Sequence, residues 1–301
     1  MAAPSGYDWE HDMSLTKIGV WASIDALPAT DAVAFAKRVE GWGYGALWMP
    51  EAAGREVLST AAWLLANTDS LVVASGIANI YARDALASAS AQKGLSEQSG
   101  GRFLLGLGVS HVPLVKDLRN HDYGKPIATM RAYLQAMASA PYWAIPPAVR
   151  PRTVLAALGP KMLELSAELT DGAHPYNVPP QHTEQARAIL GQDKLLCVEQ
   201  GVILETDPAR ARALGRKFLN IYLGLPNYVN SWRRLGFSDA DFAGGGSDRL
   251  VDTVLVWGDE SAIRARLEEH WQAGADHVCV QAIAASHGPD EQALRLLAPG
   301  A

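Results

Sequence analysis

The chain is poor in the residues that mark several large functional classes. It has two cysteines, Cys197 and Cys279, each inside an apolar run. They read as buried small side chains of a reducing compartment, not as a disulfide framework or a metal site. Positive charge is sparse: 26 Lys and Arg stand against 32 Asp and Glu, a formal net charge of −6. The densest basic pair, Arg233–Arg234, falls in a mixed loop, so no stripe is present to neutralise a phosphate backbone, and nucleic acid is set aside as a partner. No apolar run approaches the ~20 residues that span a bilayer. Met1–Leu15 is polar and acidic, without the basic-then-apolar order of a secretory leader. The expectation is a cytoplasmic protein without a membrane partner.

Chemical motifs are missing too. The eight histidines include no His-Glu-x-x-His, no His-x-His and no Cys/His pair at ligand spacing, so no metal is expected. There is no Gly-x-Ser-x-Gly elbow. Gly106-Leu107-Gly108-Val109-Ser110-His111 begins like a dinucleotide fingerprint, but its third glycine is absent and Val112-Pro113 opens no helix in register.

What is present is an alternation of short β-type runs with longer helical ones, the pattern of parallel strands joined by helical crossovers. Hydrophobic residues make up 49% and charged residues 19% of the chain, enough apolar surface for a core and no signature of disorder. The strand-like runs are Lys17–Ala22, Ala46–Met49, Leu71–Ser75, Phe103–Leu107, Thr153–Ala157, Ala173–His174, Leu195–Leu204 and His277–Ile283. Helices are expected from near Thr30 to Gly43, over Asp84–Glu97, Ile127–Ser139, Lys161–Leu169, Ala209–Leu223 and Glu260–Gln272, and after Pro289. Eight such runs predict an α/β fold of the closed (β/α)8 TIM-barrel type, because doubly wound sheets usually stop at five to seven strands. One barrel of ~250 residues with insertions would absorb 1–301 as a single domain. The insertions fall at about 111–150 and 226–253 (after the fourth strand and before the last helix–strand unit).

In such a barrel the chemistry sits at the C-terminal strand ends. After the second strand, Pro50 fixes the turn that presents Glu51, either an acid–base group or a solvated loop carboxylate. After the third, Gly76 marks a bulge or close backbone approach, or simply a loop. After the fourth come Ser110 and His111, a histidine as readily structural as catalytic. After the fifth, Leu158-Gly159-Pro160-Lys161-Met162 sets a proline at the first helical position with a lysine beside it. That is an anion site built on a helix start, or an ordinary turn.

Taken in order, the segments Gly76–Asp84, Gly106–Val115, Ala156–Gly172 and Ala273–Val278 resemble the coenzyme F420-dependent branch of the luciferase-like monooxygenase superfamily. The resemblance covers nearly the whole chain. It implies a barrel that binds a deazaflavin, coenzyme F420, with FMN as the alternative cofactor, and an oxidoreductase moving a hydride to or from a small-molecule substrate. It also implies a homodimer. Gly76-Ile77 would then form a non-prolyl cis bulge behind the ring, Asn79 would meet the ring's polar edge, and Val109 and Ser110 would line the tail. Gly159, Lys161 and Met162 would hold the phosphate through backbone N–H groups, flanked by Leu158 and Pro160. The chain departs from better-known members of the branch, which carry Asp-His where it has Pro50-Glu51; the sugar-phosphate enzyme has a glutamate where it has His111. A carboxylate–imidazole pair with its members exchanged would make Glu51 tune His111 as the proton-exchanging residue. His174, Tyr176 and Trp232 are expected in the substrate wall, and the aromatic insertion Pro226–Gly246 is expected either to lid the mouth or simply to pack onto the barrel. Two further readings are a non-catalytic cofactor-binding barrel and a barrel of unrelated chemistry such as an aldolase, which the scarcity of lysine at strand ends disfavours.

Overall fold

The computed structural model describes Met13, residues 15–285 and residues 288–300. The leader expectation at the chain's start lies almost wholly outside them. Ten strands occur: β1 Ile18–Trp21, β2 Ala46–Met49, β3 Val72–Ser75, β4 Ala78–Asn79, β5 Phe103–Gly108, β6 Arg152–Leu155, β7 Gly172–Ala173, β8 Leu195–Leu204, β9 Val256–Gly258 and β10 His277–Ala282. The helices are α1 Ala29–Gly41, α2 Val57–Leu65, α3 Ala85–Gln98, α4 Pro126–Ala138, α5 Pro160–Leu169, α6 Pro180–Leu190, α7 Pro208–Leu223, α8 Pro226–Arg234, α9 Asp239–Phe242, α10 Asp248–Val254, α11 Glu260–Gln272 and α12 Glu291–Leu296. None among the described residues is long and apolar enough to cross a membrane.

All the sheet pairings are parallel, and eight strands close on themselves in the order β1-β2-β3-β5-β6-β7-β8-β10. Closure is made by β10, which pairs with β1 at Val278–Ile18 and with β8 at His277–Cys197. The structure is thus the expected (β/α)8 barrel. β4 and β9 are extra two- and three-residue strands on the ends of β5 and β8.

The two-residue period of each strand sorts its side chains into two cores. Leu47, Val73, Leu105, Leu155, Val198 and Val280 join the shell packed under the helices. Trp48, Ala74, Leu104, Val154, Cys197 and Cys279 alternate with them and fill the lumen. Both cysteines are free and fully buried, and burial pushes both thiols up. Lower in the lumen, Trp48 stacks on His174 with ring centroids 4.4 Å apart, and Trp48 Nε1 donates to His277 Nε2 at 3.0 Å. Burial pushes both histidines down to about 4, so they are neutral packing groups at pH 7. β3 and β5 approach so closely that a Cβ on Gly106 would stand 2.0 Å from Ser75 O, which only glycine tolerates.

Local chemistry explains most helix starts. Asp84 caps α3 at Ala87 N–H (2.7 Å) and Asp259 caps α11 at Ala262 N–H (2.9 Å). The first helix begins at Ala29 after Pro28 and has no side-chain cap, one residue before the Thr30 start read from sequence. The segment after β5 holds a π-helical turn, Pro113–Leu118, and then α4, which is the β5–β6 crossover. The second insertion folds as α8 and α9 and closes through Gly244, Gly245 and Gly246, all at positive φ.

Candidate active site

A cavity of about 830 Å³ opens at the C-terminal ends of β5, β6 and β7. Its apolar floor comes from Ile77, Gly108, Val109, Ala156 and Leu158. The Gly76–Ile77 peptide is cis, as the resemblance implied. Gly76 itself is hemmed in: a Cβ there would lie 2.6 Å from Trp21 Nε1 and 3.2 Å from His174 Nε2. Trp21 Nε1 donates to Gly76 O at 3.2 Å and so fixes the bulge from inside the barrel. Gly108 is equally necessary, because a Cβ there would meet the Ile77 side chain at 2.5 Å. The close packing beneath the floor depends on these glycines.

One end is cationic. Helix α5 starts there with Pro160 at its first position, and Lys161 and Arg234 both line the wall. Arg234 Nη2 donates to Leu158 O at 3.0 Å and stands 3.5 Å from a Cβ position on Gly159. Met162 N–H turns back to Gly159 O at 3.1 Å. The amides of Gly159 and Lys161 are therefore the donors this helix start can offer an anion, and the expected contribution of the Met162 amide is corrected. The Met162 side chain does line the wall.

The other end is aromatic and neutral. His111, at the end of β5, lies 5.8 Å from the Tyr228 ring, and Ser110 before it takes a positive φ of 57°. Burial lowers the His111 pKa, and the Asn227 side chain, on the same cavity wall, opposes that shift. His174 and Tyr176 leave β7 into the wall. His174 Nδ1 bonds Cys197 O at 2.8 Å, while its buried Nε2 has no protein partner. The Tyr176 hydroxyl donates to Gln281 Oε1 at 2.7 Å and pairs with the Tyr222 hydroxyl at 2.8 Å.

The structure does not bring Glu51 to His111. Glu51 accepts from both guanidinium nitrogens of Arg83, from Asn79 N–H at 2.7 Å and from Val57 N–H at 3.4 Å. It lines a separate cavity with Arg55, Arg83 and Arg119. The exchanged-pair expectation fails on saturation: a carboxylate has about four acceptor positions, and all are used. Pro50 faces a small void near Ile24, outside the main cavity. Asn79 is fully buried behind the wall, its Oδ1 accepting Tyr81 N–H at 2.9 Å and its Nδ2 left without a partner. Trp232 is buried one layer back, where Nε1 donates to Asn177 O at 3.1 Å, and Tyr228 holds the wall position instead. The lid expectation also changes, since α8 is pinned to the barrel and forms a fixed wall.

Asn227, Tyr123 and Glu199 escaped sequence reading. Asn227 carries no motif. Glu199 sits mid-strand in an apolar run, and its unusual place in the lumen shows only once the barrel closes.

A family model for luciferase-like monooxygenases matches residues 13–277. The chain belongs to the luciferase-like monooxygenase family. Over 340 aligned residues it is 24% identical to a Mycobacterium tuberculosis protein named "Putative coenzyme F420-dependent oxidoreductase", covering 92% of this chain and 97% of the relative. Among solved structures, the coenzyme F420 dependent tetrahydromethanopterin reductase of Methanopyrus kandleri superposes with a TM-score of 0.70 at 17% identity, covering 95% and 98% of the two chains. The FMN complex of the oxygenating constituent of 3,6-diketocamphane monooxygenase from Pseudomonas putida superposes at 0.68 with 14% identity, covering 94% and 96%. The two superpositions show the fold alone. This chain therefore shares its barrel fold with an F420 dependent reductase and with a monooxygenase seen in complex with FMN.

Proposed function

We propose that this luciferase-like protein is a coenzyme F420-dependent oxidoreductase acting on a small organic substrate. The observation that carries the reading is the one cavity that joins an apolar floor, a cationic helix start and the half-buried His111. Such a cavity suits an apolar ring with a phosphorylated tail: Gly76 and Gly108 let the backbone pack closely beneath the floor, and Lys161 and Arg234 stand at one end for the anion. The near-full-length likeness to the M. tuberculosis relative favours the deazaflavin over FMN.

The deazaflavin, when bound, supplies or receives a hydride at C5. The chain's own residues do the rest. The α5 start and Arg234 anchor the tail, and Ile77 supports the ring. His111, its pKa lowered by burial, takes a proton from a substrate hydroxyl, or returns it in the reverse direction. Tyr176 and Tyr228 exclude water from that end. A homodimer and a cytoplasmic setting go with this reading.

The test is a fluorescence titration of the purified protein with oxidised coenzyme F420 and, in parallel, with FMN. Saturable binding of the deazaflavin in preference to FMN is expected. A preference for FMN would move the protein to the monooxygenases of the family, and binding of neither would remove the anion site at Gly159–Met162 and with it the reading.

A further inference from the structure

The aromatic end of the cavity narrows the substrate beyond a small organic molecule. We propose that the substrate is an uncharged, ring-bearing alcohol or the matching carbonyl compound, and that this end rejects carboxylates and phosphate esters. The two members of such a couple differ by one hydride and one proton, which the proposed function moves. The inference rests on that reading for its chemistry, while its core, the charge preference of one end of a cavity, is testable without it.

Four observations lead to it. First, positive charge is confined to the far end. The Lys and Arg side chains on the cavity wall are Lys161 and Arg234, both at the start of α5. Arg234 is held there by Leu158 O at 3.0 Å, and the helix axis from Tyr228 to Arg234 spans about 9 Å. A phosphorylated cofactor tail engages these two cations, so a second anion beside Tyr228 would be buried without a partner, which costs far more than burying a neutral group.

Second, the donors at the aromatic end are spent. The Tyr123 hydroxyl donates to Ser110 O at 3.1 Å and the Tyr176 hydroxyl to Gln281 Oε1 at 2.7 Å. The start of α8 is closed to an anion as well, because Tyr228 N–H and Val229 N–H both turn back to Leu225 O, at 3.1 and 3.3 Å. A carboxylate or phosphate needs several donors at once, whereas a lone hydroxyl or carbonyl needs few. Third, a carboxyl stands behind this end. Glu199 N–H bonds Pro175 O at 3.0 Å and Glu199 Oε2 accepts Asn177 N–H at 2.8 Å, so the residue brackets Tyr176 from β8. Fourth, the wall is built of rings. His111, Tyr228 and Tyr176 follow one another with centroids 5.8 and 6.2 Å apart, the second pair edge-on. Such faces and edges receive a cyclic body, with its one polar group at His111.

The test follows the ring protons of His111 and Tyr228 by NMR in the cofactor-free protein, with His111→Gln and Tyr228→Phe to assign them. Benzyl alcohol, benzoate and benzyl phosphate serve as probes, since they share a ring and differ in charge. Benzyl alcohol is expected to move both sets of signals saturably at millimolar concentration, and the two anions to do so at least about tenfold more weakly. Asn227→Lys adds a cation at an exposed position of the same wall and is expected to erase or reverse that preference, whereas Asn227→Gln is expected to keep it. If the anions move the His111 and Tyr228 signals as tightly as benzyl alcohol does, or if no probe moves them, the inference is wrong. An Asn227→Lys variant that keeps the wild-type preference overturns it as well. If the preference appears as stated but the protein does not bind the deazaflavin, the proposed function fails and the charge selection stands.

Discussion

Glu199 gives the sharpest quantitative test of the fold's electrostatics. It lies on β8 in the barrel lumen, fully buried, with Asn177 N–H on one oxygen at 2.8 Å and no protein partner on the other. Burial pushes its carboxyl up to about 8. An acid whose folded pKa is raised binds more protons folded than unfolded. Its contribution to stability is therefore fully present below the unfolded value of about 4.5 and is lost as pH rises through the folded value. The loss proceeds at about 1.4 kcal/mol per pH unit. The buried histidines act with the opposite sign. His174 and His277 are depressed to about 4 and His270 to about 3, so they withdraw stability only as pH falls below about 6.5. Between pH 6.5 and 8 Glu199 is thus the dominant buried term, and about 2 kcal/mol should disappear. Glu199→Gln keeps the acceptor for Asn177 and cannot ionise. Wild type and variant melted in parallel by calorimetry should diverge as pH rises, the variant's advantage growing by about 2 kcal/mol, roughly 4 °C, between pH 6.5 and pH 8. Parallel melting curves across that range would refute the argument.

Two further outcomes follow from the site. Glu51→Gln should destabilise the fold by about 2–3 kcal/mol, because it leaves the Arg83 guanidinium, only 11% exposed, with Glu56 as its remaining carboxylate; denaturant unfolding measures this, and an unchanged midpoint would return Glu51 to the pool of free acids. Arg234→Ala should weaken binding of the phosphorylated cofactor about tenfold, with the gap narrowing as salt is raised; a salt-independent effect would place Arg234 outside the anion site.

Much of the barrel was legible because its signal is repetitive. Each strand alternates two kinds of apolar side chain, and each helix start carries its own cap or proline. β7 was readable only as a short stretch, since it pairs over Gly172 and Ala173 alone. The glycines under the cavity floor and the start of α5 at Pro160 were legible too, because glycine and proline constraints are local. The Glu51–His111 pairing was misjudged for the opposite reason. Arg83 lies 32 residues beyond Glu51, and nothing in the intervening sequence states that the guanidinium folds back. Asn227 was invisible on the same ground: a lone asparagine beside a proline says nothing until α8 is laid across the mouth.

The seating of α8 also bears on how the protein can diversify. Its first turn carries Tyr228, in ring contact with His111, and its last residue is Arg234, beside Gly159 at the start of α5. The two ends of the cavity are therefore tied to one short, rigid rod. A graft of this segment from a relative would change both ends of the cavity wall together, as one heritable module, while the strands beneath stayed as they are.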